Sequence, residues 1–97
     1  TDGILRLRFR DSFERATLAE PGKIYPIEVR LPPTANRFIK GHRLRIDIAS
    51  SNFPHFDVNP NTGAPAGMPS EPRIAENRLH IAPDMPSQLQ LFARSPA

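Results

Sequence analysis

The sequence predicts an antiparallel all-β domain, and three observations predict it. Apolar residues alternate with polar ones instead of recurring at helical spacing, so the dominant period is that of strands. Turn-forming dipeptides punctuate the alternating runs. Most of the 12 prolines frame the ends of those runs or fall in one long loop.

The elements follow in order. In residues 4–10, Leu5, Leu7 and Phe9 can face a core while Arg6, Arg8 and Arg10 face out, the pattern of a half-buried strand. Residues 11–20 tolerate a helix, with Ser12 as N-cap, but have room for one or two turns at most. Pro21-Gly22 marks a turn into a second strand, 25–31, where Tyr25, Ile27, Val29 and Leu31 alternate with Pro26, Glu28 and Arg30. Pro26 cannot donate to a ladder, which places that end at a sheet edge. Pro32-Pro33 ends the strand, residues 37–40 form a weak one, and Lys40-Gly41 links it tightly to the clearest of the set. There Leu44, Ile46 and Ile48 alternate with Arg43, Arg45 and Asp47. Two shorter strands follow near the C-terminus, where Leu79 and Ile81 alternate with Arg78 and His80, and Leu89 and Leu91 with Gln88 and Gln90. The stretch 51–76 alternates nowhere and carries five prolines and two glycines. Loops beyond about 12–15 residues are uncommon in compact domains and are usually functional or packed on a neighbour.

Composition sets the limits. At 97 residues the chain is a single domain, 1–97, or part of one. A globular chain of this size buries about 60–65% of its unfolded surface, so most charged residues must face water. Thirteen basic residues, eleven of them Arg, oppose ten acidic ones for a net charge of +3. With no cysteine, disulfides, thiol catalysis and zinc-thiolate sites are excluded. No apolar run approaches the ~20 residues a membrane span needs, no signal peptide is visible, and a cytoplasmic location is favoured. No membrane partner is expected. The arginines on the predicted polar faces suggest a nucleic-acid stripe, but Phe9 and Tyr25 fall on the apolar side instead of interleaving with them. A solvated or domain-facing sheet surface, with Glu28 and Asp47 as cross-strand partners, accounts for them better, and no nucleic-acid partner is expected.

Catalytic chemistry finds little support. None of the six serines sits in a G-x-S-x-G frame, and Ser50 and Ser51 read as turn closers. His55 and Asp57, two apart, fall on one side of an extended segment, a spacing that fits a surface contact as readily as a proton-sharing pair. His42 and His80 flank strands at outward positions, and no histidine pair at helical spacing suggests a transition metal. Asp57, Asn59 and Asn61 present oxygen donors at alternate positions, like a calcium loop. However, the sixth and twelfth positions of that loop are Thr62 and Met68, where glycine and glutamate are required. Asn59-Pro60 and Thr62-Gly63 also spell a double turn. No metal or other cofactor is therefore expected, with calcium at Asp57, Asn59 and Asn61 as the weaker alternative.

Longer strings carry more information. Thr1-Asp2-Gly3-Ile4-Leu5-Arg6, Leu18-Ala19-Glu20-Pro21-Gly22, residues 40–48 (Lys-Gly-His-Arg-Leu-Arg-Ile-Asp-Ile), residues 50–57 (Ser-Ser-Asn-Phe-Pro-His-Phe-Asp) and Asn59-Pro60-Asn61-Thr62-Gly63 occur in that order. Together they resemble the C-terminal region of the X-Pro dipeptidyl-peptidase and cocaine esterase family of serine hydrolases, over nearly the whole chain. The resemblance implies an α/β-hydrolase catalytic domain followed by a jelly-roll β-sandwich. No position here matches the family's catalytic triad, so no catalytic residue is assigned and the chain alone is expected to be inactive. A complete jelly roll has about eight strands, more than the five or six read above, so the chain is expected to be an incomplete sandwich from the end of a larger hydrolase.

On that reading the partner is the catalytic domain of the same protein, with a homo-oligomer contact left open. Within the loop, Asn52, Phe53, His55, Phe56 and Asp57 are the candidates for docking or for lining substrate access. Phe53 and Phe56 carry most of the expected burial, either against the partner or over the sandwich's own core. The rival reading is a free-standing binding module, carbohydrate-binding or calcium-dependent. Carbohydrate platforms present Trp or Tyr, and this chain has no Trp and one Tyr.

Overall fold

A computed structural model of the chain describes residues 1–94. It divides into two units, Thr1–Ile48 and Ala49–Ala97. Regular structure among the described residues is a 3₁₀ turn at Leu7–Phe9 and an isolated antiparallel bridge between Ala82 and Met85. The alternating segments carry no ladder hydrogen bonds. A strand's backbone groups need a neighbouring strand, and its apolar row needs a facing layer. Without them both rows stay wet: Ile27, Val29, Leu31, Leu44, Ile46 and Ile48 are all exposed, and no described residue is buried.

The side chains left open include those that alternation assigns to a core.

Within the first unit, turns rather than strands organise the backbone. The Phe9 and Arg10 amides donate to the carbonyls of Arg6 and Leu7, at 2.8 and 3.2 Å, and the Thr17 amide donates to Arg8 O at 2.8 Å. These bonds make residues 9–16 a closed excursion. The helix-tolerant stretch 11–20 does not coil; Ser12 Oγ accepts from the Glu14 amide at 3.1 Å, a serine turn in place of a helix cap. Both punctuating dipeptides turn as expected. The Lys23 amide donates to Glu20 O across Pro21-Gly22, and the His42 amide to Ile39 O across Lys40-Gly41. Gly22 and Gly41 have φ of 80° and 90°, the left-handed region that glycine enters without steric cost. Gly3 answers a different need. A Cβ there would lie 2.7 Å from Arg30 O and 2.8 Å from Leu31 Cδ2, so the first alternating segment runs directly against the second.

Turns also organise the described residues of the second unit, one of them closed by the Met68 amide donating to Pro65 O at 3.2 Å. The Phe56 amide donates to Asn52 O at 3.1 Å, around a cis Phe53-Pro54 bond. Residues 60–73 form a closed loop. The Arg73 amide donates to Pro60 O at 2.8 Å, Asn61 Nδ2 donates to Arg73 O at 3.0 Å, and the Thr62 and Ser70 hydroxyls meet at 3.0 Å. Ala82 and Met85 exchange both backbone bonds across Pro83-Asp84, and Ser87 Oγ donates to His80 O at 2.7 Å nearby.

Candidate functional site

The loop that the sequence singles out is a surface feature. Phe53 is 71% exposed at the head of the 52–56 turn, Phe56 is half-buried, and Asn52, His55 and Asp57 are exposed. The turn bond from Phe56 back to Asn52 brings these residues onto one short bend. Ser50, expected to close a turn through backbone bonds, instead accepts from Asn77 Nδ2 at 3.0 Å, which ties the start of the loop to residue 77.

Downstream, two of the three residues of the calcium alternative take part in turn chemistry. Asn59 Oδ1 accepts from the Asn61 amide at 3.0 Å, an Asx turn, and Asn61 takes a φ of 59°, which asparagine tolerates better than most residues. The Asn61 side-chain amide points its NH₂ at Arg73 O. Two of the three proposed ligands therefore hold the neck of the 60–73 loop. Among the described residues no group of three or more His, Asp or Glu side chains is placed to hold a metal ion.

The first unit contains an arrangement that alternation does not foresee. Arg10, expected on an outward polar face, has a side chain only 8% exposed. Its Nη1 donates to Leu7 O at 2.9 Å and to Thr17 O at 2.8 Å, and its guanidinium lies 4.2 Å from the centroid of the Tyr25 ring. Tyr25 Oη in turn accepts from the Glu20 amide at 3.0 Å, and Lys23 Nζ stands 5.3 Å from the same ring while pairing with Glu20. Arg10 turns inward because the 3₁₀ turn at Leu7–Phe9 breaks the two-residue period just before it. A planar guanidinium can then donate to two carbonyls and lie against an aromatic face at once.

Beside this clamp lies an open groove of about 350 Å³, with Ile4, Leu5, Phe9 and Phe13 on its apolar side. Phe13, the one apolar residue between Asp11 and Arg15, stands 86% exposed on the excursion that Arg10 braces. The reading of 11–20 as a helix-tolerant linker passed over it, although a lone phenylalanine in Arg-Asp-Ser-Phe-Glu-Arg is itself a signal.

The family model for the X-Pro dipeptidyl-peptidase C-terminal non-catalytic domain matches residues 1–90. The chain belongs to this family. The match bears out the resemblance carried by residues 40–48 and 50–57, and the family's description as non-catalytic agrees with the lack of any position matching a catalytic triad. The chain is also 40% identical over 92 residues to cocaine esterase from Rhodococcus sp. (strain MB1 Bresler), covering 93% of this chain. It spans only 16% of the length of that relative. No solved structure matches the chain.

Proposed function

We propose that the chain is the C-terminal jelly-roll β-sandwich portion of a serine hydrolase acting on peptide, ester or amide bonds, and that it supports the catalytic α/β-hydrolase domain and shapes access to the substrate. The family match over residues 1–90 carries this reading. The 40% identity to a cocaine esterase supports the ester or amide side of the substrate class. The unburied apolar rows support a role as one layer of something larger, since rows such as Leu44, Ile46 and Ile48 become stable only against a facing layer. The close approach of Gly3 to Arg30 and Leu31 supports a neighbouring course for the start of the first segment and the end of 25–31, ahead of the 3₁₀ turn at Leu7–Phe9. Loop residues 52–57 are the docking or access surface in this reading, with Phe53 as the exposed anchor and Phe56 behind it.

The test is made in the full hydrolase polypeptide with Phe53→Ala and Phe56→Ala combined. The expected result is a lower thermal midpoint and a change in kcat/KM for the hydrolysed ester or peptide. Unchanged stability and kinetics in the double variant would remove the loop from the interface.

A further inference from the structure

We infer that the turn at residues 37–43 is a docking surface for an acidic segment of a separate polypeptide, a run of Asp and Glu whose carboxylates pair with Arg37, Lys40 and Arg43. The inference goes beyond the proposed function and uses neither the 52–57 loop nor the contact with a catalytic domain.

The distribution of charge leads to it. Between Glu28 and Asp47 the sequence holds no acidic residue, while Arg30, Arg37, Lys40, Arg43 and Arg45 all fall there. The two at the ends are paired. Arg30 Nε lies 3.0 Å from Glu28 Oε1, and Arg45 Nη2 lies 3.0 Å from Asp47 Oδ2. The three in the middle are exposed and make no ion pair among the described residues. They also account for the whole excess charge of the chain. It has 13 basic and 10 acidic residues, so without these three the two signs balance.

Backbone geometry gathers the three. The His42 amide donates to Ile39 O at 3.0 Å, and Gly41 takes a φ of 90°. Lys40 therefore stands at the tip of a tight turn, with Arg37 and Arg43 on its two arms. An extended acidic segment presents every second side chain to one side, about 6–7 Å apart, a spacing that long flexible cations can follow. The arginine fork matches a carboxylate in two parallel bonds. Other polyanions fit less well. Lipid-surface recognition draws on clusters of about 4–8 basic residues, more than the three left unpaired here. Single-stranded nucleic acid is held along a charged groove, which an exposed turn does not supply.

The experiment measures binding of a fluorescein-labelled oligo-glutamate peptide to the full polypeptide that carries residues 1–97, by fluorescence anisotropy. One variant combines Arg37→Gln, Lys40→Gln and Arg43→Gln. A control combines Arg6→Gln, Arg15→Gln and Arg78→Gln, which removes the same charge from exposed positions elsewhere. An exposed ion pair changes affinity by up to about fivefold, so the turn variant should bind roughly tenfold more weakly while the control stays within about twofold. Added salt should weaken binding to the unaltered protein more than to the turn variant, because it screens exposed charges. No binding of the peptide, or equal losses in the two variants, overturns the inference. Tighter binding of an oligo-thymidylate of equal charge, or of phosphatidylserine vesicles, lost in the turn variant, overturns it in favour of a phosphate-bearing partner. The kcat/KM of the turn variant should be unchanged, which separates this surface from the one tested at Phe53 and Phe56. A change in kcat/KM would place the turn against the catalytic domain and remove the separate partner.

Discussion

Arg10→Met is the perturbation that most directly probes the clamp. Methionine keeps much of the length and apolar stem of arginine and deletes the guanidinium, so it removes the bonds to Leu7 O and Thr17 O and the stacking on Tyr25. A hydrogen bond from a charged donor contributes about 1.5–3 kcal/mol, and cation–π stacking about 0.5–1 kcal/mol at accessible sites. The acceptor carbonyls belong to exposed residues, so the lower values apply, and the contacts share one side chain and do not simply add. The contact to Asp11, which is 71% exposed, adds little. The expected cost is about 2 kcal/mol of local stability, which corresponds to roughly a 30-fold larger open population of residues 8–25. Amide hydrogen exchange read by NMR reports this at two positions, Thr17 bonded to Arg8 O and Glu20 bonded to Tyr25 Oη. Both should exchange faster in Arg10→Met and remain unchanged in Arg6→Met, where the side chain is exposed. Thr17 protection that survives the loss of the guanidinium would refute the clamp, whatever happened to global stability.

Four further outcomes follow from the turns and close approaches. Gly3→Ala sets a methyl group 2.7 Å from the Arg30 carbonyl oxygen, a backbone atom that cannot swing aside; an overpacking cost of about 1–3 kcal/mol should appear as a lower midpoint in urea, and a neutral variant would mean the two segments do not run together. Tyr25→Phe deletes the acceptor for the Glu20 amide but keeps the ring under Arg10, so it should cost about 0.5–1.5 kcal/mol and speed exchange at Glu20 while sparing Thr17. Asn59→Ala removes the Asx-turn acceptor and should loosen the neck of the 60–73 loop, seen as faster proteolysis there. Adding calcium to the unaltered protein should leave its melting midpoint in place, since Asn59 and Asn61 already serve the turn, and a rise in the midpoint would restore the calcium alternative.

What the sequence discloses divides along a physical line. Turn positions are local, set by a glycine's tolerance of positive φ or an asparagine's short amide, and Pro21-Gly22, Lys40-Gly41 and Asn59 to Asn61 behave as their residues dictate. Family membership is legible because strings such as Gly41-His42-Arg43-Leu44-Arg45 followed by Ser50-Ser51-Asn52-Phe53-Pro54 are specific in combination, and the family model confirms it. The inward turn of Arg10 is not legible, because alternation assigns direction by counting in twos and a 3₁₀ turn inserted at Leu7–Phe9 resets the count. Phe13 escapes for a related reason. Periodicity ranks an apolar residue by its neighbours two or four positions away, and a lone phenylalanine has none.

Strand-like alternation and unburied apolar rows are compatible once the length of the chain is set against that of its relative. A strand's two faces are coded in its own residues, but the ladder and the facing layer that stabilise it come from elsewhere. Leu44, Ile46 and Ile48 encode an inner face that nothing in Thr1–Ile48 covers, and Phe13 and Phe53 project from braced turns into solvent. The turns are bonded, and the Glu28–Arg30 and Arg45–Asp47 charges are paired. The side chains left in water include the apolar rows. In the proposed reading the apolar surface of a neighbouring domain covers them, which is why that reading is tested at Phe53 and Phe56.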